Sequence, residues 1–187
     1  MDERIGEFPD IEGLGAEVEI EFFPTNFPVR WDQCGATADF FASYFSSLPG
    51  SGGDDEMVRA EVSNAISYVL NEVVENAVKF QHGGTITVRV GVHEGDLVFV
   101  VGNWISPEAL NALRPRLTSL ITGDAQEMLL QRVEENAANP ESGVSGLGFL
   151  TMITDYDARL GWRISNPEGA NDRVHLATMA RLPIHRT

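Results

Sequence analysis

The stretch VLNEVVENAVKF, residues 69–80, decides how the rest of this chain is interpreted. Its apolar residues recur every three or four positions, which is the spacing of a helix with one buried face. The same spacing runs back to a glycine-rich turn and predicts one long helix over residues 56–80. At about 100° per residue, the side chains of Glu72, Asn76 and Lys79 lie within roughly 60° of one another. We expect them to lie together at the edge of the core.

The other elements predict an antiparallel sheet that is covered by helices. Alternation of apolar and polar residues predicts strands at 17–23, 85–92, 96–101, 160–165 and 174–182. Helical spacing predicts further helices at 36–48, from Ser106 onward, at 124–137 and at 146–156. Strands that pair with sequence neighbours, with helices segregated to one side, make an α+β two-layer sandwich. The predicted fold has a mostly antiparallel sheet with helices on one face.

The sequence predicts one folded domain over residues 18–187. It follows an acidic, glycine-containing segment, residues 1–17, that we expect to be loosely held. A hydrophobic share of 43% in 187 residues is enough for one sizeable core. Aromatic residues form a stripe on the helix at 36–48. This stripe is either part of the core or the contact surface of a homodimer.

The formal net charge of −15 limits the possible partners. An acidic surface repels phosphate backbones and anionic headgroups, so we expect binding to neither nucleic acid nor membrane. Cys34 is the only cysteine, which excludes an internal disulfide and a cysteine-rich metal site. The four histidines are scattered and lack the spacing of zinc ligands. No signal peptide is visible, and we expect a cytoplasmic protein.

The three polar residues of the long helix suit the chemistry of phosphoryl transfer. Glu72 can orient or deprotonate a nucleophile. Asn76 can give Mg²⁺ a neutral oxygen ligand, and Lys79 can neutralise phosphate charge. The alternative is an ordinary solvated helix face, because short motifs of this kind often occur without a function.

A glycine-rich box at residues 143–148, within SGVSGLGFL, precedes the last predicted helix. Gly143, Gly146 and Gly148 allow the backbone to approach an anion closely, and the free N–H groups of the following helix point at such an anion. We expect this box to bind phosphates, with Leu147 as a further contact. A plain flexible loop is the alternative, because a glycine motif alone is weak evidence.

The combination of these motifs resembles the GHKL superfamily, which includes histidine-kinase catalytic domains, gyrase B and the anti-sigma-factor serine kinases. NEVVENAVKF resembles their N box, and SGLGF resembles their second glycine box. The resemblance covers about residues 60–182 and implies a Bergerat-type ATP-binding fold. It implies that Glu72 handles the water or acceptor hydroxyl, that Asn76 holds Mg²⁺, and that the glycine box binds the phosphates of ATP.

One stretch, VFVVGNWISPE, departs from the family pattern. The family's first glycine box carries an Asp that accepts the adenine amino group, followed by a Gly-x-Gly turn. Here Asn103 stands near the Asp position, the glycines are missing, and a neutral amide gives a weaker hydrogen bond than a carboxylate. Trp104 is expected to stack on a base or to fill the adenine pocket. In the lid region, residues 106–145, Arg114 and Arg116 either reach the phosphates or lie on a solvated helix face.

A closer resemblance extends to RWDQCGATADFFASYF and GLGFLTMITDYDARLGW. These stretches look like small stand-alone bacterial regulators akin to SiaB-type kinases and anti-sigma-type switches. The resemblance implies a small STAS-like or SiaC-like partner, which such proteins bind and phosphorylate on Ser or Thr. Two functions remain open. One is Mg-ATP-dependent phosphorylation of the partner, and the other is a degenerate module that binds its partner without catalysis and with weak or no nucleotide binding.

Overall fold

The structure is a computed structural model that describes residues 2–10, 13–23, 31–48, 56–138, 146–167 and 172–183. Within these ranges the chain forms five helices and six strands. In chain order they are β1 (Asp2–Gly6), β2 (Gly15–Phe22), α1 (Trp31–Ser46), α2 (Glu56–Lys79), β3 (Ile86–His93), β4 (Asp96–Ile105), α3 (Pro107–Thr122), α4 (Ala125–Ala138), α5 (Gly148–Tyr156), β5 (Arg159–Ser165) and β6 (Val174–Pro183).

The six strands form one sheet with the order β1-β5-β6-β4-β3-β2, and every neighbouring pair is antiparallel. The predicted hairpin between β3 and β4 is present. Its turn residues Glu94 and Gly95 have φ angles of +52° and +85°, as the tight turns of twisted hairpins require. The prediction of an α+β two-layer sandwich with a mostly antiparallel sheet is confirmed.

Alternate residues of the central strands point toward the helices. Leu97, Phe99 and Val101 of β4 are fully buried on this side, and they share one core with Phe41 of α1 and Leu70 of α2. Helix α4 contributes no buried residue and lies at the surface against α5. Among the described residues, no helix is long and apolar enough to span a membrane.

The aromatic stripe of α1 is divided between the core and the surface. Phe41 and Phe45 are fully buried, whereas Phe40 and Tyr44 are 49% and 41% exposed. The rings of Phe40 and Tyr44 stack on each other with their centroids 6.4 Å apart. The stripe therefore belongs in part to the core, and the homodimer stays a prediction.

Strands β1 and β2 lie at opposite edges of the sheet, so the chain between them has to cross it. We call residues 7–10 and 13–14 the crossing segment. Phe8 and Leu14 are each 9% exposed, and they form a second apolar cluster with Val98 on the sheet face opposite the main core. This segment covers part of the face that the helices leave open.

Two glycines leave room for the crossing segment. A Cβ atom on Gly91 would lie 2.5 Å from Cβ of Leu14, and a Cβ atom on Gly161 would overlap the carbonyl group of Glu7. A glycine inside a strand often marks such a close approach of another part of the backbone. The sheet is therefore covered by helices on one face and, in part, by the protein's own N-terminal region on the other.

The expectation of a loosely held N-terminus does not hold for Asp2–Gly6, which forms the edge strand β1. It pairs with β5 along its whole length, with Asp2 opposite Ser165 and Ile5 opposite Trp162. Five residues at a sheet edge are too few to show a clear alternation of apolar and polar side chains. Because the partner strand comes near the other end of the described chain, the strand has no local signal in the sequence.

Candidate functional site

Helix α2 positions the polar residues that the sequence singles out. The helix is buried in the core through Ile66, Val69, Leu70, Val73, Val74 and Ala77. Glu72 and Asn76 are partly buried, whereas Lys79 in the last turn is exposed. Because the buried stripe fixes the rotation of the helix, it also fixes the directions in which Glu72 and Asn76 project.

The side chain of Glu72 lies against the first residue of α5. A Cβ atom on Gly148 would overlap Oε2 of Glu72 and would lie 2.7 Å from its carboxyl carbon. The carboxylate can come this close only because residue 148 has no side chain. The fold thus places the predicted catalytic glutamate beside the glycine box.

One turn before Glu72, a second contact holds α2 and α5 together. The ring of Tyr68 stacks on the ring of Tyr156, with centroids 5.1 Å apart and planes inclined by 24°. The side chain of Thr151 in α5 lies close to the Tyr68 hydroxyl. These contacts fix α5, and with it Gly148, relative to the polar side of α2.

Burial raises the pKa of the Glu72 carboxyl, and the negative charge of Glu75 raises it further. Desolvation disfavours the charged form of a carboxyl group, and so does a like charge nearby. A carboxylate with a raised pKa is a better proton acceptor than a solvated one, which suits a general base.

Asn76 has a fixed orientation. Its Nδ2 group donates a hydrogen bond of 2.7 Å to the backbone oxygen of Glu72, one turn back in the same helix. Because a carbonyl acceptor requires the amide nitrogen at this position, Oδ1 is the atom left to accept a hydrogen bond or to bind a cation. A neutral oxygen ligand of this kind suits Mg²⁺.

Lys79 lies farther from the glycine box than the other two residues. Seven residues of helix separate it from Glu72, about 10 Å along the axis. Its Nζ atom is 5.6 Å from the centroid of the Phe80 ring, and no carboxylate of the described residues lies within ion-pair distance. In the same part of the chain, no group of three or more His, Cys, Asp or Glu side chains is arranged to hold a metal.

The described part of the glycine box leads directly into α5. Gly146 has a φ angle of +60°, a conformation that favours glycine. Leu147 is the N-cap residue and provides no side-chain hydrogen bond to the helix. The first N–H groups of α5 thus lack the usual side-chain cap and can bind an anion. The predicted contact Gly143 lies outside the described residues.

The structure changes which arginine lies at this site. Arg114 forms an ion pair with Glu3 of β1, so it is directed to the sheet edge, which argues against the alternative in which it reaches phosphates. Arg116 is exposed on α3. Arg132 of α4 lies against the glycine box, since a Cβ atom on Gly146 would be 3.5 Å from its Nε atom.

Sequence reasoning missed Arg132. It lies in a polar helix without a buried residue, so its own helix has no pattern that distinguishes it from a solvated side chain. The signal available in the sequence is that Arg132 belongs to α4, the helix that immediately precedes the glycine box. This signal is useful only if α4 packs against α5. Helices α4 and α5 do pack against each other.

Asn103 has a structural role in this fold. It is 2% exposed, and its Nδ2 group donates a hydrogen bond of 3.0 Å to the backbone oxygen of Ala77. At this helix end the N–H of Gln81 bonds to Val78 instead of Ala77. The amide of Asn103 therefore caps a carbonyl group at the end of α2, a bond that an ionised aspartate cannot donate.

Trp104 lies on the opposite face of the sheet from Asn103. Strand β4 extends to Ile105, and successive side chains of a strand point to opposite faces. The Trp104 ring meets His175 edge to face at 5.2 Å, and the guanidinium carbon of Arg173 lies 4.6 Å from its centroid. Trp104 and Asn103 therefore do not line the same side of the sheet, and the expectation that Trp104 stacks on a base or fills the adenine pocket stays a prediction.

The sequence matches no protein-family model, and no curated protein matches it significantly. The fold matches one chain of the crystal structure of the SiaB–SiaC complex from Pseudomonas aeruginosa, with a TM-score of 0.58 and 14% sequence identity. The match covers 88% of this chain and 89% of the other. At this level of identity, the likeness shows that the two chains share a fold.

Proposed function

We propose that this chain is a partner-switch regulator that binds Mg-ATP and phosphorylates a Ser or Thr of a small SiaC-like or STAS-like protein. The observation that carries the proposal is the contact between the Glu72 carboxylate and Gly148 of the glycine box. It places a carboxylate of raised pKa beside uncapped N–H groups at a helix start. The likeness to a chain of the SiaB–SiaC complex supports the class of partner.

The residues present fit the phosphate part of a nucleotide. The N–H groups at the start of α5 and the guanidinium of Arg132 offer hydrogen bonds to phosphate oxygens. The Oδ1 atom of Asn76 offers a ligand for Mg²⁺. Bound Mg-ATP would supply the phosphoryl group and a cation that neutralises its charge.

The chain's own residues then have distinct roles. Glu72 accepts the proton of the partner's hydroxyl group, and its raised pKa makes it a stronger base. Asn76 is held in place by its hydrogen bond to the backbone of Glu72, so its Oδ1 atom, the proposed metal ligand, has a fixed direction on the helix. In phosphoryl transfer, such positioning and electrostatic stabilisation account for most of the catalysis.

Nucleotide binding is tested by the melting temperature with and without excess Mg-ATP. A ligand at about a hundred times its Kd adds roughly 2.7 kcal/mol, which for a domain of this size is a shift of roughly 5–10 °C. We expect this shift in the wild type and its loss in Asn76→Ala. Asn71→Ala is the matched control, because Asn71 bonds to Glu75 in the same helix. An equal loss in both variants would refute a specific role for Asn76.

Phosphoryl transfer is tested with a purified SiaC-like protein from the same genome and mass spectrometry of its Ser and Thr residues. Glu72→Gln keeps the shape of the side chain but removes the base, and we expect transfer to fall about 100-fold or more. The Mg-ATP melting shift should remain. Glu75→Gln, one turn away, is the control and should retain most of the transfer, because it lowers the pKa of Glu72 but leaves its carboxylate in place. Unchanged transfer in Glu72→Gln would exclude it as the base.

A second candidate, a binding switch without catalysis, has specific support from Asn103. Its amide is committed to Ala77, and the neighbouring Trp104 lies on the other sheet face, so the base half of the site differs from the family pattern. This candidate predicts no melting shift at millimolar Mg-ATP and equal affinity for the partner with and without nucleotide. Asn103→Asp that created or strengthened ATP binding would indicate that the site is a weakened nucleotide site.

A further inference from the structure

Arg132 is a surface residue that lies against the glycine box. A Cβ atom on Gly146 would be 3.5 Å from Nε and 3.8 Å from Cζ of Arg132. The guanidinium group therefore lies beside Gly146, at about the distance at which an added Cβ atom would touch it, two residues before α5 begins. Its side chain is 43% exposed, so it is open to a ligand from solvent.

The present partner of Arg132 is easily exchanged. One of its terminal nitrogen atoms lies 2.9 Å from Oε2 of Glu135, one turn further along α4. Both side chains are more than 40% exposed, and exposed pairs of this kind contribute about 1 kcal/mol or less. A phosphate group accepts two parallel hydrogen bonds from the same guanidinium and carries more charge than a carboxylate.

The negative charge around the glycine box favours a cationic side chain there if phosphates are to bind. The chain has a net charge of −15, and Glu72 and Glu75 both lie on the neighbouring helix. Lys79 is about 10 Å along that helix from Glu72, and Arg114 is paired with Glu3. Among the described residues, Arg132 is the cationic side chain that the structure shows beside Gly146 of the glycine box.

We infer that Arg132 is the residue through which α4 binds the nucleotide phosphates at the glycine box, and that it exchanges Glu135 for phosphate when it does so. This inference rests on the proposed function, since the phosphates are those of the proposed Mg-ATP. Arg132 is a binding residue in this account. When phosphate is bound, the salt bridge between Arg132 and Glu135 within α4 is replaced by a contact between Arg132 and the phosphate. Binding of the nucleotide therefore affects the position of α4.

The test compares the affinities for Mg-ATP, tripolyphosphate and adenosine by calorimetry. Arg132→Ala should weaken binding of Mg-ATP and of tripolyphosphate by about 10-fold to 100-fold, because it removes charged hydrogen bonds. The affinity of Arg132→Ala for adenosine, which has no phosphate, should equal that of the wild type. Glu135→Gln should strengthen Mg-ATP binding a few-fold, since it frees the guanidinium. Arg116→Ala, which removes the same charge from exposed α3, should change each affinity less than about twofold.

The outcomes separate this inference from the proposed function. Wild-type binding of Mg-ATP with equal affinities in Arg132→Ala and Arg116→Ala would overturn the inference alone. Binding of tripolyphosphate that depends on Arg132, without measurable Mg-ATP binding, would overturn the nucleotide function and support the anion contact. Absence of binding for both polyphosphates would overturn both. An unchanged melting temperature without ligand is expected for Arg132→Ala and shows that the variant is folded.

Discussion

The carboxylate of Glu72 lies against the α-carbon of Gly148 so closely that no side chain fits between them. Gly148→Ala should therefore displace the Glu72 carboxylate, and it should destabilise the fold by no more than about 1 kcal/mol, because the obstructing atoms are the end of a flexible side chain. Urea unfolding measures this loss. Gly35→Ala is the contrasting control, because a Cβ atom there would have its nearest neighbour at 4.0 Å and alanine favours a helix by up to about 1 kcal/mol.

A double mutant shows whether the loss arises from this contact. In a Glu72→Ala background the obstructing carboxylate is gone, so Gly148→Ala should have no measurable cost, since alanine also favours the helix. A cost that is the same in both backgrounds would mean that Gly148 is required for a reason unrelated to Glu72.

The raised pKa of Glu72 predicts a pH-dependent difference between the wild type and Glu72→Gln. A carboxyl group whose pKa is raised on folding stabilises the protein at low pH, and this contribution is lost as the pH rises through the folded-state pKa. The wild type should thus lose stability relative to Glu72→Gln as the pH rises above about 4.3, the usual value for glutamate. Parallel melting curves across that range would contradict the raised pKa.

Glu75 is the second cause of the raised pKa and offers an independent check. Glu75→Gln removes its negative charge, so the pKa of Glu72 should fall toward the usual value. NMR titration of the Glu72 carboxyl carbon measures this directly. A pKa that does not move would assign the whole shift to burial.

Asn103→Asp should destabilise the protein more than Asn103→Ala. The alanine variant leaves the Ala77 oxygen without its donor, which costs roughly 1–3 kcal/mol. The aspartate variant does the same and also places a charge, with no donor to offer, in a site that is 2% exposed. Denaturant unfolding at neutral pH measures the free energies of unfolding of the wild type and the two variants and so gives their order of stability. An aspartate variant as stable as the wild type would show that the bond to Ala77 is unimportant.

The sequence predicted most elements, because their signals are local. The long helix α2 has a regular apolar stripe, and the turn of the β3–β4 hairpin contains a glycine with a positive φ angle. Ser106 caps α3 as expected, with its side chain accepting a hydrogen bond from Ala109. Each of these depends on residues within a few positions of one another, so periodicity and turn chemistry were sufficient.

The sequence could not predict relationships that depend on distant parts of the chain. Asn103 looked like a base-binding residue from its place in a motif, but the end of α2 determines its hydrogen bond. The side of β4 on which Trp104 lies depends on how far the strand continues, and β4 continues past the predicted end at residue 101 to Ile105. The ion pair of Arg114 with Glu3 and the position of Arg132 beside Gly146 both depend on helix packing, which no local pattern encodes.

The crossing segment predicts a steric requirement at the centre of a strand. Gly161→Ala would push a Cβ atom into the carbonyl group of Glu7, so it should destabilise the protein by about 1–3 kcal/mol and loosen the N-terminal region. Faster trypsin cleavage after Arg4 measures this loosening. Gly15→Ala is the control, since its Cβ would lie 3.4 Å from the nearest atom. Equal cleavage rates in the two variants would argue against a tight crossing.

The pairing of β1 with β5 also constrains the order in which this protein folds. Asp2 and its partner Ser165 are separated by 163 positions along the chain. Contacts between such distant residues form late, because closing the long loop between them costs entropy before the contacts stabilise the chain. Strand β1 is therefore synthesised well before β5, and until β5 is in place its backbone hydrogen bonds to that strand are not formed. During that interval it is a site at which a nascent chain can pair wrongly or be bound by a chaperone.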